Sequence, residues 1–252
     1  MGPAAGDGTR RKTACVPCGY GYVASALVKL LLEKGYAVKT TLRNPDDVVK
    51  NKHLKDLEAL GPLEVFRADL DEEGSFDDAV AGCGYVFFDA PPVNLHAENP
   101  EFVESFETMM TLAYRCVGVP CLQGATGEGG ERVRAGEGHQ PRHCVPGPHG
   151  GAAPAAKVHP SVLDVLSLLS GDEARVRTLK FIVRMSGSIP LVHVDDVCRA
   201  EIFVAEEEAA SGRYICCSLN TTVVELARFL AAKYPHYNVN TDRFCGLLEK
   251  PG

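Results

Sequence analysis

The sequence predicts an α/β protein built on a doubly wound parallel sheet, and three observations carry that prediction. Over the first hundred residues, short apolar runs of strand type alternate with stretches whose apolar residues recur at helical spacing. A cluster of glycines separates the first such strand from the first helix. Strands joined through helices run parallel, because a crossover helix returns the chain to the same end of the sheet. With 252 residues, the chain is long enough for one large domain.

Taken in order, residues 1–11 (MGPAAGDGTRR) form a short tail, expected to be disordered. They have no apolar core after the arginines, as a secretory signal would, and are short and poor in Ser for a plastid transit peptide. TACV is the first strand and CGYGY the glycine turn. VASALVKLLLEKG is a helix that Gly35 ends, and YAVKTTLR is the second strand. Strand, glycine turn, helix and strand make a βαβ unit for a dinucleotide. A backbone with few side chains lets a pyrophosphate approach the helix N-terminus, where free N–H groups and the dipole favour anions. Gly19, Tyr20, Gly21 and Tyr22 are therefore candidate cofactor-binding residues.

The second strand ends in Arg43, where an NAD enzyme would place an acid for the ribose 2′-hydroxyl. An arginine there receives a 2′-phosphate instead, which favours NADP(H), with Lys50 able to add charge; a merely solvated arginine is the alternative. HLKDLEAL continues as a helix, LEVFRADL as the third strand, DEEGSFDDAVAG as an acidic helix start and YVFFDAPPV as the fourth strand with its exit loop. Asp69, with Leu70 beside it, suits either the adenine edge or an ordinary helix cap. Ala90 and Pro91 lie in the exit loop where the nicotinamide belongs.

Further on, LDVLSLLS is a helix stopped by Gly171, TLKFIVRM another helix, and IPLVHV a strand. Asp195 or Asp196 is expected to cap VCRAEIFVAEEE, with His193 a structural neighbour of that cap. RYICCS is a strand, and TTVVELARFLAAKYP is a helix capped by Thr221 or Thr222 and closed by Pro235.

Composition narrows the function. A formal charge of −7 argues against a nucleic-acid partner, which would need a basic face. No run approaches the roughly 18 apolar residues of a membrane span. The ten cysteines are scattered, and Cys15, Cys198, Cys216 and Cys217 fall in apolar runs, as buried thiols of a reducing compartment do.

On these residues a resemblance becomes specific. Lys12 to Pro100, with GPLEVFRADLDEEGSFDDAVAGC and APPVNLHAENP, resembles the extended short-chain dehydrogenases, and among them the plant flavonoid reductases of anthocyanidin reductase type; SGSIPLVHVDDVCRAEIFVAEEEAASGRYICCS is similar to the same family. The resemblance implies a Rossmann domain of a cytoplasmic, NADPH-dependent reductase with a flavonoid substrate. It further implies a Ser, Tyr and Lys catalytic set with Tyr and Lys in YxxxK. That spacing puts both on one helix face, where an ammonium helps a phenol of pKa near 10 pass a proton near neutrality.

The chain departs from the pattern. Cys18 stands where the family's turn has its first glycine, while Gly19, Gly21 and the small Ala24 remain. Asp89 interrupts a strand end that is apolar in the family, and Pro91 is an extra proline; weakened cofactor affinity is expected. YxxxK is absent: the residues four after Tyr20, Tyr22, Tyr36, Tyr85, Tyr114, Tyr214, Tyr234 and Tyr237 are Ala24, Ala26, Thr40, Asp89, Gly118, Ser218, Asn238 and Thr241. No catalytic residue is therefore assigned.

The stretch Gly118 to Gly151, rich in Gly, Pro, Arg and His, explains the loss. GVPCLQ can be spelled GGC GTA CCC TGT CTC CAA, which one base later reads GCG TAC CCT GTC TCC AAG, or Ala-Tyr-Pro-Val-Ser-Lys. That is the missing motif. The same shift turns GATGEGGERVR into a helical run of the type VLLEKEASGFA, and GHQPRHCVP into the strand-like GISLVTVCP. The segment reads as a family exon translated one base out of frame, with the catalytic Ser segment after Pro100 skipped. Taken at face value, Cys116, Cys121, His139 and His143, with Cys144 and His149, have a zinc-like spacing. The central spacer is too long, however, and lacks the apolar residues a finger packs; no metal is expected.

The organisation expected is thus a tail (1–11), the N-terminal part of the NADP-binding domain (12–100), an aberrant, disordered segment (101–151), and the remaining strands and helices with a partial, truncated substrate region (152–252). The sheet is expected to be incomplete and the chain inactive as a flavonoid reductase. The alternative is a non-catalytic NADP(H)-binding remnant or partner of an intact paralogue.

Overall fold

β1 (Thr13–Val16) pairs in parallel with β2 (Ala37–Leu42) on one side and β4 (Tyr85–Phe88) on the other. The structure is a computed structural model and describes residues 11–69, 71–88, 121–124, 142–146, 148–155, 157–237, 239, 241 and 244. Ala14 and Val16 enter one apolar cluster, whereas Cys15 enters another with Ala79, Val80, Val86 and Phe88. This is the two-residue period of a strand covered on both faces.

On the first face lies α1 (Tyr22–Glu33), which buries Leu27, Val28, Leu31 and Leu32 against Val16 and Val38. The helix ends at Lys34, and Gly35 takes φ +84°, a conformation that glycine adopts without penalty. α2 (Val48–Leu57) begins five residues before the expected run at His53, because the Asp47 side chain accepts the Lys50 N–H and starts it there. β3 (Leu63–Arg67) is the outer strand beside β2. On the opposite face, α3 (Asp77–Val80) is a single turn, bracketed by Gly74 and Gly82 at positive φ.

β5 (Cys121–Gly124), β6 (Arg142–Pro146) and β9 (Gly212–Cys216) extend the sheet, all parallel, to the order β3-β2-β1-β4-β5-β6-β9. Strands thus stand at 121–124, 142–146 and 149–150, within the segment for which the sequence led us to expect disorder and a gap in the sheet. A central position offers hydrogen-bond partners on both sides, so a four-residue segment of weak strand propensity is held there by its neighbours. Cys144 at the centre of β6 is fully buried. Residues 101–120, 125–141 and 147, with Tyr114, Cys116 and His139, lie outside the described residues.

A second sheet joins β7 (His149–Gly150), β8 (Ile189–His193) and β10 (Leu219–Thr221). Around it, α4 (Pro160–Ser170), α5 (Glu173–Ser186) and α7 (Val223–Lys233) enclose a smaller core of Leu179, Ile189, Ala227 and Phe244. Gly171 at φ +75° closes α4 as expected, and Thr222 with Glu225 forms a reciprocal capping box on α7. α6 (Val194–Glu206) returns to the main core through Val197, Cys198 and Ile202.

One cap differs from expectation. The residue before α6 is His193, whose Nδ1 accepts the Asp195 N–H, while Asp195 and Asp196 fill the first turn. The helix dipole accommodates acids there just as well. Cys15, Cys198 and Cys216 are buried and in no disulfide, and Cys217 is half-buried.

Candidate cofactor site

The strand order reverses between β1 and β4, and the crevice at such a switch point is where open α/β sheets bind ligands. The glycine turn lies there, between β1 and α1. Its backbone is fixed by three hydrogen bonds: the Cys18 N–H to Thr41 Oγ1 at 3.1 Å, the Gly19 N–H to the Thr41 carbonyl at 3.3 Å, and the Gly21 N–H to the Cys18 carbonyl at 2.9 Å.

Gly19 is needed for space. A Cβ there would come within 2.0 Å of Thr40 Oγ1, a buried hydroxyl that donates to the Val16 carbonyl at 2.6 Å. Cys18 takes φ +57°, the left-handed region, at the position where the family's turn has glycine. Gly21 precedes α1 with no side-chain cap, and no acid occupies the first turn. The first N–H groups of the helix, including that of Tyr22, are thus left to an anion.

Beyond the turn, Tyr20, Leu42, Arg43, Asn44, Asp47, Lys50 and Asn51 line one pocket. Lys50 Nζ stands 4.2 Å from the centroid of the Tyr20 ring, a cation–π contact. Arg43 Nε pairs with Asp69 Oδ2 at 3.2 Å, while Asp69 Oδ1 accepts the Asp71 N–H at 3.3 Å. Asp69 therefore pairs with the arginine and holds the turn at Asp71, whereas the helix that follows starts after Phe76 with no side-chain cap. Asn51 Nδ2 donates to the carbonyls of Asn44 (2.8 Å) and Pro45 (3.3 Å), tying the loop after Arg43 to α2. Two cations, an aromatic face and an uncapped helix start form a donor set that suits a nucleotide carrying an extra phosphate.

Of the residues singled out in the sequence, Gly19, Tyr20, Gly21, Arg43, Lys50 and Asp69 gather at this corner; Leu70, Ala90 and Pro91 lie outside the described residues. The Tyr22 side chain turns away. Its hydroxyl donates to the Gly151 carbonyl at 2.6 Å, and its ring lies 5.9 Å from that of His149 and 5.2 Å from that of His159. Those two imidazoles are 4.1 Å apart. Burial, and then the charge of His149, lowers the His159 pKa to about 4, so it is neutral at physiological pH. His159 Nδ1 accepts the Ser161 N–H and caps α4. Sequence reasoning missed this ring cluster, since its members are far apart in the chain.

The comparisons agree with this geometry. No family profile matches the chain. An anthocyanidin reductase of Vitis vinifera, described as (2S)-flavan-3-ol-forming, is 37% identical over 283 residues, covering 92% of this chain and 84% of that protein. Since 92% of 252 residues is about 232, the matched part of this chain is about 51 residues shorter than the span of 283. Among solved structures, vestitone reductase from alfalfa aligns with a TM-score of 0.68 at 24% identity, covering 92% of this chain and 85% of that one. The yeast methylglyoxal/isovaleraldehyde reductase Gre2, solved with NADPH, aligns at 0.67 and 14% identity over 90% of this chain and 84% of its own.

Proposed function

Because this chain belongs to the anthocyanidin reductase family, we propose that it is an NADP(H)-binding flavonoid reductase that has kept the cofactor corner and lost the proton donor. The observation that carries the reading is the shared pocket of Tyr20, Arg43 and Lys50 beside an uncapped helix start. Arg43 and Lys50 would take the 2′-phosphate, the Tyr20 ring would flank the adenosine, and the first-turn N–H groups of α1 would take the pyrophosphate. Bound there, the nicotinamide supplies a hydride for an electron-poor flavonoid carbon.

Reduction also needs a proton, delivered by an acid held near its reacting oxygen. The sequence holds no YxxxK, and the side chain of Tyr22, the tyrosine that begins α1, spends its hydroxyl proton on Gly151. Burial, with Asp195 and Cys198 nearby, also raises the Tyr22 pKa, which makes it a poorer acid. The shortfall of about 51 residues against the matched span supports the loss of an internal segment, and the back-translation of GVPCLQ supports a shifted frame after it. In the cell such a chain would hold cofactor or pair with an intact paralogue.

The test is a fluorescence titration of the purified chain with NADPH, followed by an assay of anthocyanidin reduction. Saturable binding without turnover is expected. Turnover would show that the chain has an acid elsewhere, and absence of binding would refute the cofactor reading.

A further inference from the structure

Tyr20 stands in the glycine turn between Gly19 and Gly21, on backbone tied to Thr41 and closed by the Gly21 N–H bond to the Cys18 carbonyl. It is 39% exposed and lines the same pocket as Arg43 and Lys50. The two cations are held there in different ways. Arg43 is paired with Asp69 at 3.2 Å. Lys50 Nζ is in no ion pair among the described residues and stands 4.2 Å from the centroid of the Tyr20 ring.

Lys50 is also placed against the polarity of its own helix. It is the third residue of α2, at the end where the dipole disfavours positive charge, and the first turn holds no acid. Asp47, the capping residue, uses its side-chain oxygen on the Lys50 N–H at 3.0 Å. A ring face attracts an ammonium without neutralising it, so the contact with Tyr20 holds the charge in place and leaves it available to an anion. A lysine free in solvent gives up rotamer freedom when it grips a phosphate; one already held gives up less.

We propose that Tyr20 is a positioning residue for Lys50: its ring holds the ammonium at the pocket before the cofactor arrives and so sets the preference for NADPH over NADH. The proposal rests on the cofactor reading above. A contact of the ring with the adenosine would serve both nucleotides alike, whereas the hold on Lys50 serves only the one with the extra phosphate.

The experiment titrates the full chain with NADPH and with NADH at fixed salt, as wild type, Tyr20→Leu, Tyr20→Phe, Lys50→Gln and the Tyr20→Leu, Lys50→Gln double variant. The quantity read is the Kd for NADH divided by that for NADPH. Tyr20→Leu is expected to lower this ratio about two- to tenfold, the ordering cost of one lysine side chain. Tyr20→Phe, which keeps an aromatic face, is expected to stay within about twofold of wild type. In the Lys50→Gln background, Tyr20→Leu is expected to change the ratio no further. An unchanged ratio in Tyr20→Leu overturns the positioning role and leaves the cofactor reading intact. A raised ratio also overturns it, because the ring would then compete with the phosphate for the ammonium. So does a fall that persists without Lys50, or a wild type that binds both nucleotides equally. A wild type that binds neither overturns both readings together.

Discussion

Replacing Cys18 by glycine tests whether the turn of this chain carries strain that its relatives lack. Cys18 is the only described residue other than glycine with positive φ, at +57°. A side chain in that region costs roughly 1–2 kcal/mol through the clash of Cβ with the backbone. Glycine removes the clash but gives the unfolded chain more freedom, which returns about 0.4–1 kcal/mol to the unfolded state. The net expectation for Cys18→Gly is a gain of about 0.5–1 kcal/mol. In a protein of this size that raises Tm by about 1–4 °C. The Cys18 N–H bond to Thr41 and the Gly21 N–H bond to the Cys18 carbonyl are backbone contacts that the variant keeps. The same variant is expected to bind NADPH more tightly, because the relaxed turn presents the N–H groups of α1 without distortion. Differential scanning calorimetry and a fluorescence titration measure the two effects. A fall in Tm would refute the reasoning, since it would mean that the thiol's contacts outweigh the strain.

Two further substitutions probe the frame around the site. Gly19→Ala places a methyl group 2.0 Å from Thr40 Oγ1 and 3.1 Å from Thr40 Cβ, so a loss at the upper end of the overpacking range, about 3 kcal/mol, is expected together with loss of NADPH binding. Adding Thr40→Ala should recover part of both in melting and titration; no recovery would place the fault elsewhere than in this contact. Glu206, at the end of α6, accepts hydrogen bonds from Lys12 Nζ and the Tyr36 hydroxyl, and these two partners hold its pKa below the usual carboxylate value. A lowered carboxylate pKa stabilises the fold above the unfolded-state value and ceases to do so as the pH falls through the folded one. Glu206→Gln should therefore cost about 1 kcal/mol at pH 7, a modest figure for a carboxylate one-third exposed, and the gap should close in urea melts as the pH falls through the lowered folded-state value. A gap that persisted at low pH would assign the effect to packing.

The first half of the fold was legible because its signals are local. TACV, the glycines and VASALVKLLLEKG each specify one element through periodicity or backbone freedom, and β1, α1 and β2 follow them within a residue or two. Arg43 and Lys50 could be assigned because the βαβ unit dictates where the end of its second strand lies. What escaped was set by tertiary contacts. CLQG and RHCVP carry no pattern that demands a strand, and they become β5 and β6 because paired strands flank them. His193 rather than Asp195 caps α6 because β8 runs to His193 and the helix starts at Val194, so the last residue of the strand is also the cap. The partner of Asp69 was hidden for the same reason: Arg43 is 26 positions away in sequence and one strand away in space.

The continuity of the sheet and the proposed loss of catalysis are compatible, because they depend on different properties of the same segment. Backbone pairing asks only for N–H and C=O groups at the right spacing, which every residue but proline supplies. Cys121–Gly124 can therefore stand between β4 and β6 whatever its side chains are. Proton transfer asks for one phenol and one ammonium placed to within fractions of an ångström, and a strand of unrelated side chains supplies neither. A shifted reading frame can thus leave pairing intact while erasing the chemistry that the sheet once positioned. On the proposed reading the cofactor corner is spared because every residue in it lies before Asp71, upstream of the stretch proposed to be out of frame. On the same reading, restoring Ala-Tyr-Pro-Val-Ser-Lys alone would not restore reduction, because the internal segment proposed to be lost would have to return with it.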